Sequence, residues 1–389
     1  VARERLMTER VLVTGARAAA ALDIARDFAR AGYEVHMADC ATARIARSSN
    51  APARIHRYPS PVRDPAGFRE RVVALVNELD PVLVVPSCEE VFHLAALPLG
   101  ERLFQPPAAM LRRLHDKALF AELCGVSGLP APETHRLDTP ADLEAFRTQS
   151  RDWVFKARYS RFGKGTLVGP SADALSRIAP SPGRGWIAQR RIEGREVSFY
   201  AVARGGQVTA FAAYGSAWRL AGGASLTFDL LEPALSEAIL DLATTLAKAA
   251  DLTGQFACDL IVDQDGKPWL IECNPRATSG VHLLSGDGLL ARAMLHGGET
   301  PLLARPGARH LLPAFLTFGL GLALRSGRLP AWLRQLRDGA DVAGRPGDRG
   351  PMLGAVTDGI GFMLTGASLG VSATAATTID IEWNGEDLP

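Results

Sequence analysis

Apolar and polar positions in the first hundred residues follow two alternating rhythms. RVLVTGA (10–16), YEVHMAD (33–39) and PVLVVPS (81–87) are short apolar runs, the pattern of strands buried in a sheet. Between them, residues 19–31 carry Leu22, Ile24, Ala25, Phe28 and Ala29 as the inward side of a helix, and FRERVVALVNELD (68–80) is a second amphipathic helix. This repetition predicts a parallel, doubly wound sheet, because parallel neighbours need a helical crossover. Pro106 and Pro107 punctuate its end. Residues 108–298 then mix helix, strand and glycine-loop signals, as in an α+β body. The expected organisation is an N-terminal domain (1–107), a central domain (108–298) and a small C-terminal lobe (299–389) rich in Gly, Ala, Arg and Pro. Within that lobe RDGADVAGRPGDRGP (337–351) reads as a surface loop and TTIDIEWNG (377–385) as a closing strand. The longest apolar run, residues 311–324, is too short to cross a bilayer and reads as a buried helix or a strand–helix junction.

Residues 256–276, FACDLIVDQDGKPWLIECNPR, break the apolar pattern in an informative way. They read as two strands joined by a turn at Asp263-Gln264-Asp265-Gly266, with acidic and amide side chains where a half-buried hairpin usually carries apolar ones. Alternation puts Glu272 and Asn274 on one face and Trp269, Ile271 and Cys273 on the other. If the turn pairs Asp263 with Pro268, Asp259 lies opposite Glu272 with Cβ atoms about 5 Å apart. Like charges at that separation call for a cation, and hard oxygen ligands without Cys or His suit Mg²⁺, with Mn²⁺ as a substitute. Arg276 follows on the same face, where phosphates bound to the metal would lie.

Composition narrows the choice. A chain of 389 residues has length for two or three domains, and a net charge of +1 offers no basic stripe for nucleic acid. Cysteines 40, 88, 124, 258 and 273 are scattered without CxxC pairs, which fits a reducing cytoplasm and no structural zinc. Cys258 and Cys273 read as core. No signal-peptide pattern surrounds Val11 and no membrane association is expected. Gly15 after the first strand and Asp39 at the end of the second invite a dinucleotide-binding reading, hence an NAD(P)-dependent oxidoreductase. The turn Gly15-Ala16-Arg17-Ala18-Ala19-Ala20 has one glycine where that fingerprint needs three, so Asp39 reads as a strand-end or capping residue and Arg17 as facing a cleft.

The central segment carries residues that suit phosphate. WVFKARYSRFGKGTLVG (153–169) ends an apolar strand at Lys156 and continues into a loop where Gly163 and Gly165 flank Lys164; such glycines let backbone N–H groups wrap phosphate oxygens. In the next strand Gln189, Arg190, Arg191 and Ile192 can offer backbone groups to an adenine edge, and Glu196 can accept from ribose hydroxyls. Lys117 opens a helix after Asp116. In YGSAWRLAGGASLTFD (214–229), Arg219 suits a substrate carboxylate, which its planar guanidinium matches bidentately, and Gly222-Gly223 permits close backbone approach. Thr278, Ser279 and Gly280 can offer backbone N–H groups to an anion; His282 reads as packed or capping.

The joint order of these elements resembles the ATP-grasp superfamily, within it the carboxylate–amine ligases related to carbamoyl phosphate synthase large chain and biotin carboxylase. The elements are Asp116-Lys117, Lys156 to Gly165, Gln189 to Glu196, Asp259, and Glu272-Cys273-Asn274-Pro275-Arg276, spanning about residues 10–285. The resemblance implies an ATP-grasp fold behind the N-terminal sheet. It implies that Lys117 and Lys156 bind the α- and β-phosphates of ATP, Lys156 also nearing the adenine, and that Glu196 holds the ribose. Asp259, Glu272 and Asn274 would carry one or two Mg²⁺, and Arg276 would stabilise the γ-phosphate and the acyl-phosphate oxygens. By the same resemblance the anion at Thr278, Ser279 and Gly280 would be an acyl phosphate. The implied reaction joins a small-molecule carboxylate to an amine through an acyl phosphate, releasing ADP and phosphate. A nucleotide-binding protein that keeps the fold without catalysis is the alternative. Arg190 stands where the family often has an acidic residue, and Ala157 where it usually has proline. The C-terminal lobe can complete the active-site wall, form a homodimer interface or select the amine; the sequence leaves these open.

Overall fold

The computed structural model describes residues 8–161, 163, 165–219 and 225–388. The three expected N-terminal strands, Arg10–Thr14, Glu34–Asp39 and Leu83–Val85, lie parallel in one sheet, Arg10–Thr14 between the other two. A fourth strand, Arg54–Arg57, joins outside Glu34–Asp39. Its sequence RIHR has no apolar run because it is an edge strand, with both arginines exposed. Gly15 takes a left-handed φ of 75°, and a Cβ there would sit 2.8 Å from Cys88 Sγ. The space beyond it is not an open cleft: Arg17 is buried against Asp39 at 2.6 Å and Asp380 at 2.5 Å.

Two further sheets build the centre. Thr134–Leu137, Trp186–Arg190, Trp153–Ala157 and Leu167–Val168 form a small antiparallel sheet in that spatial order. The larger sheet runs from Pro268–Asn274 through Gly254–Asp263, Gly194–Arg204 and Gln207–Gly215 to Thr227–Leu230. The helix Pro233–Ala249 covers one face of it, burying Ile239, Ala243 and Leu246 in a core with Phe199, Phe211, Phe256, Cys258 and Cys273. The other face is buried in a core that also takes Val11, Val13 and Phe28 from the N-terminal sheet and its first helix. Asp27 of that helix accepts bonds from the backbone N–H groups of Gly286, Gly288 and Ala291. One core therefore crosses the boundary expected near residue 107.

The C-terminal segment departs most from expectation. Its short strands Arg309–His310 and Ala340–Asp341 extend the large sheet, and Phe315 and Trp332 pack with Trp218 and Leu226 of the central body. Residues 337–351 are no free loop: Val342 and Ala343 are fully buried, and Arg26 donates to their carbonyls at 2.9 and 2.7 Å. Leu312–Arg325 is helical, with Phe315, Gly319 and Ala323 buried and Phe318 and Leu324 facing outward. The helix Gly350–Leu369 gave no sequence signal because five glycines dilute its periodicity. One of them lets it close on residues 44–48: a Cβ at Gly354 would sit 2.5 Å from the Arg44 carbonyl oxygen. That helix is long and apolar enough to cross a membrane by length and composition, with mean hydropathy 1.3, and Leu353, Ile360 and Leu364 are exposed along it. TTIDIEWNG is not a strand. Ile379 and Ile381 are tied by helix-like turns to Ala375 and Thr378, and Ile381 is buried beside Leu12 and Tyr58.

Candidate active site

A cavity of about 1030 Å³ opens between the small antiparallel sheet and the acidic end of the large one. Its walls include Lys156, Gly163, Gln189, Arg190, Arg191, Ile192, Glu196 and Arg219, together with Asp259, Glu272, Asn274, Arg276 and Ser279. Most of the expected site residues therefore share one space.

The carboxylate pair forms by an indirect route. Near the turn, Val262 pairs with Pro268 and Leu260 with Leu270, one residue off the expected register. A bulge at Ile271 then restores it, so that Asp259 faces Glu272. The extra residue also reverses the alternation: Leu270 and Cys273 both enter the core, while Ile271, expected to face it, lines the cavity beside Glu272. Ser198 donates to Asp259 Oδ1 at 2.6 Å. Burial, and then the Glu272 charge, push Asp259 up to about 6. Burial opposes the Glu272 charge as well, but Lys117 and Lys156 outweigh it and hold that carboxyl down to about 2.

Lys117 sits beneath this pair rather than on the cavity wall. The Asp116 side chain caps its helix by accepting from the N–H groups of Ala118 and Leu119. Lys117 Nζ lies 3.3 Å from Glu272 Oε2 and donates to the Ser160 carbonyl at 3.0 Å. Lys156 Nζ donates to Gln189 Oε1 at 3.0 Å from the adjacent strand, and burial draws its pKa down to about 8. Both ammonium groups are thus buried next to the acidic pair.

Arg276 reaches the cavity from the residues just past the strand Pro268–Asn274. Its Nε donates to Glu89 Oε1 at 2.8 Å and one terminal nitrogen to Asn274 Oδ1 at 3.3 Å. Burial works against the guanidinium charge, but Glu89 more than compensates and raises its pKa. Glu196 and Arg219, expected to hold ribose and carboxylate respectively, are ion-paired with each other. Arg190 stacks its guanidinium 5.4 Å over the Trp153 ring. The backbone N–H groups of Arg190 and Arg191 already donate to the Glu133 and Asp152 carbonyls, so an adenine would find no free backbone donor at those two residues. Gly163 and Gly165 have left-handed φ values of 65° and 73°. Gly165 lies by Trp186 and does not line the cavity. Gly280 does not line the cavity, and a Cβ there would be 2.5 Å from Tyr200 Cβ and 2.8 Å from the Tyr214 ring. His282 is buried with Nδ1 2.8 Å from Asp23 Oδ2, the packed role expected of it. Lys164, Gly222 and Gly223 lie outside the described residues.

No cluster of three His, Cys, Asp or Glu side chains is placed to hold a metal among the described residues. The donor set is two carboxylates and one amide oxygen. It fits a hard divalent cation, because Asp259 and Glu272 face each other across the ladder and, among the described residues, Asp259 has no cationic partner as close as Lys117 is to Glu272.

Residues that the sequence reading did not single out complete the site. Glu89 is 1% exposed and lies 2.8 Å from Arg276 and 2.7 Å from Arg161. Its position just beyond the carboxyl end of a parallel strand was an available signal, since ligands of such sheets bind there. Ser198 and Tyr214 also line the cavity, each from an otherwise ordinary strand.

Residues 114–280 match the model of the ATP-grasp domain. Solved structures agree on the fold. Phosphoribosylamine–glycine ligase from Thermotoga maritima superposes with TM-score 0.59 at 19% identity, over 77% of this chain and 78% of its own. The L-amino acid ligase from Bacillus licheniformis gives 0.60 at 17%, over 78% and 80%. The biotin carboxylase domain of Hydrogenobacter thermophilus 2-oxoglutarate carboxylase, solved with MgADP, ADP and bicarbonate, gives 0.61 at 17%, over 77% and 73%. No curated protein matches the sequence significantly. The cavity lies within the segment that matches the ATP-grasp domain, and a parallel sheet precedes that segment in the chain.

Proposed function

We propose that the protein is an ATP-dependent ligase that joins a carboxylate to an amine through an acyl phosphate, releasing ADP and phosphate. The observation that carries this reading is the Asp259–Glu272 pair, set face to face at a bulge and flanked by Lys117, Lys156 and Arg276. Phosphoryl transfer needs charge neutralisation and in-line positioning more than covalent help from the protein, and this set supplies both. Asp259, Glu272 and Asn274 would hold Mg²⁺, which when bound neutralises phosphate oxygens. Lys156, buried at the cavity wall, places a cation where the nucleotide phosphates would lie. Arg276, fixed by Glu89 and Asn274, offers its remaining guanidinium edge to the transferred phosphoryl group. Glu196 would exchange Arg219 for ribose hydroxyls, and Arg219 would then be free for the carboxylate substrate. The fold neighbours that are named as ligases of amino acids or of glycine act on such pairs, which supports a small carboxylate and a small amine here.

The test is turnover of MgATP with hydroxylamine and a panel of carboxylates, reading ADP, AMP and hydroxamate separately. Hydroxamate formed with ADP supports the acyl-phosphate route. AMP release would point to adenylation and overturn it.

A further inference from the structure

Residues 380–388 hold one side chain of the cavity wall from behind. Asp380 is anchored by Arg17 at 2.5 Å, and its carbonyl accepts from Ser60 Oγ at 2.6 Å. Trp383, 5% exposed, stacks on Phe92 with ring centroids 4.8 Å apart. Gly385 has a left-handed φ of 93°, and any side chain there would strike the Tyr159 ring. This segment is therefore built into the fold, and what it grips is Arg161. The Arg161 guanidinium donates to the Trp383 carbonyl and, at 2.9 Å, to Asn384 Oδ1, with the Glu382 carboxylate 3.6 Å away. Its Nε lies 2.7 Å from Glu89 Oε2, while Arg276 takes the other oxygen of the same carboxylate at 2.8 Å. Arg161 and Arg276 both line the cavity.

We propose that the C-terminal segment 380–388 is a working part of the active site, holding Arg161 so that Glu89, shared between two guanidiniums, fixes Arg276 toward the nucleotide. The inference rests on the ligase reading above and adds to it a positioning residue and the element that sets it. One buried carboxylate between two cations holds both at a set spacing only while each has other partners. Arg276 has Asn274 and the Ala277 carbonyl. Arg161 has the tail. Without the tail, Arg161 competes with Arg276 for both Glu89 oxygens and draws the phosphate-facing charge out of place.

Nucleotide binding and tail order must then be coupled, and coupling is reciprocal. The experiment is amide hydrogen exchange of residues 381–388 in the full-length protein, with and without saturating MgADP, alongside calorimetric MgADP binding. MgADP is expected to slow exchange in the tail about fivefold or more in the native protein, to have no such effect in Arg161→Ala, and to regain part of it in Arg161→Lys. In the turnover assay, the double variant Glu382→Ala, Asn384→Ala is expected to lower kcat about tenfold with KM for ATP changed less than about threefold. A tail role that is only structural would lower the melting temperature in these variants and leave tail exchange blind to MgADP. MgADP binding with unchanged tail exchange overturns the inference and spares the ligase reading. Absence of any MgADP binding overturns the ligase reading and takes the inference with it.

Discussion

Lys117 Nζ lies 3.3 Å from Glu272 Oε2, so the carboxylate pair that would hold a metal is half neutralised by a buried lysine. Removing that lysine leaves Glu272 and Asp259 facing each other with Lys156 as the remaining buried ammonium nearby. Lys117→Met is expected to cost about 1–3 kcal/mol of stability in chelator, and Mg²⁺ should restore more stability to the variant than it adds to the native protein. Thermal or urea unfolding with and without Mg²⁺ reads both effects. Equal responses to Mg²⁺ would count against a metal at this pair.

Asp259→Asn separates chemistry from folding. The substitution removes the like charge opposite Glu272 while keeping an acceptor for Ser198. The variant should melt at or above the native temperature and lose about a hundredfold or more in turnover. Native turnover in a folded Asp259→Asn protein would remove this residue from the site.

The Glu196–Arg219 pair is expected to open when nucleotide binds. Arg219→Ala frees Glu196 in advance, so ADP affinity should hold or rise by up to about fivefold, the worth of an exposed ion pair. KM for the carboxylate should rise at the same time. A fall in ADP affinity would place Arg219, not Glu196, against the nucleotide.

Gly280 is set by packing. Gly280→Ala would drive a Cβ to 2.5 Å from Tyr200 Cβ, so a loss of about 1–3 kcal/mol in urea unfolding is expected, with turnover falling as Ser279 shifts. An alanine variant of native stability would show that the two tyrosines give way.

Acid should weaken the fold through a buried histidine. His115 is buried beside Phe92 and Trp383, and burial draws it from 6.5 down to about 3 despite the nearby Glu89 charge. A depressed histidine is neutral in the folded chain while the unfolded chain takes up a proton below about 6.5. Its contribution is complete above that pH and is lost as pH falls from there toward the folded value. His115→Gln should flatten the slope of unfolding free energy against pH between these limits, as followed by urea titrations at several pH values. An unchanged slope would mean that His115 is protonated in the fold.

The sequence made some parts of this molecule legible and hid others for physical reasons. The three apolar strands of the N-terminal sheet could be read because burial on both faces leaves continuous apolar runs. Arg54–Arg57 could not, since an edge strand faces solvent. The facing of Asp259 and Glu272 was predicted from a regular hairpin and is reached through a bulge, which no alternation pattern displays. The Lys156, Arg276 and Glu272 neighbourhood was visible through the order of motifs. The contribution of Glu89, Arg161 and residues 380–388 was not, because it depends on contacts between segments far apart in sequence, 223 residues for Arg161 and Asn384.

The central claim is that the cavity between the two sheets is a Mg-nucleotide site. Calorimetric titration of ADP in the presence of Mg²⁺ and in the presence of chelator tests it most directly. The account predicts binding tightened about tenfold or more by Mg²⁺, with that gain abolished in Glu272→Gln. The same ADP affinity with and without Mg²⁺, or a Mg²⁺ gain that survives Glu272→Gln, would contradict it.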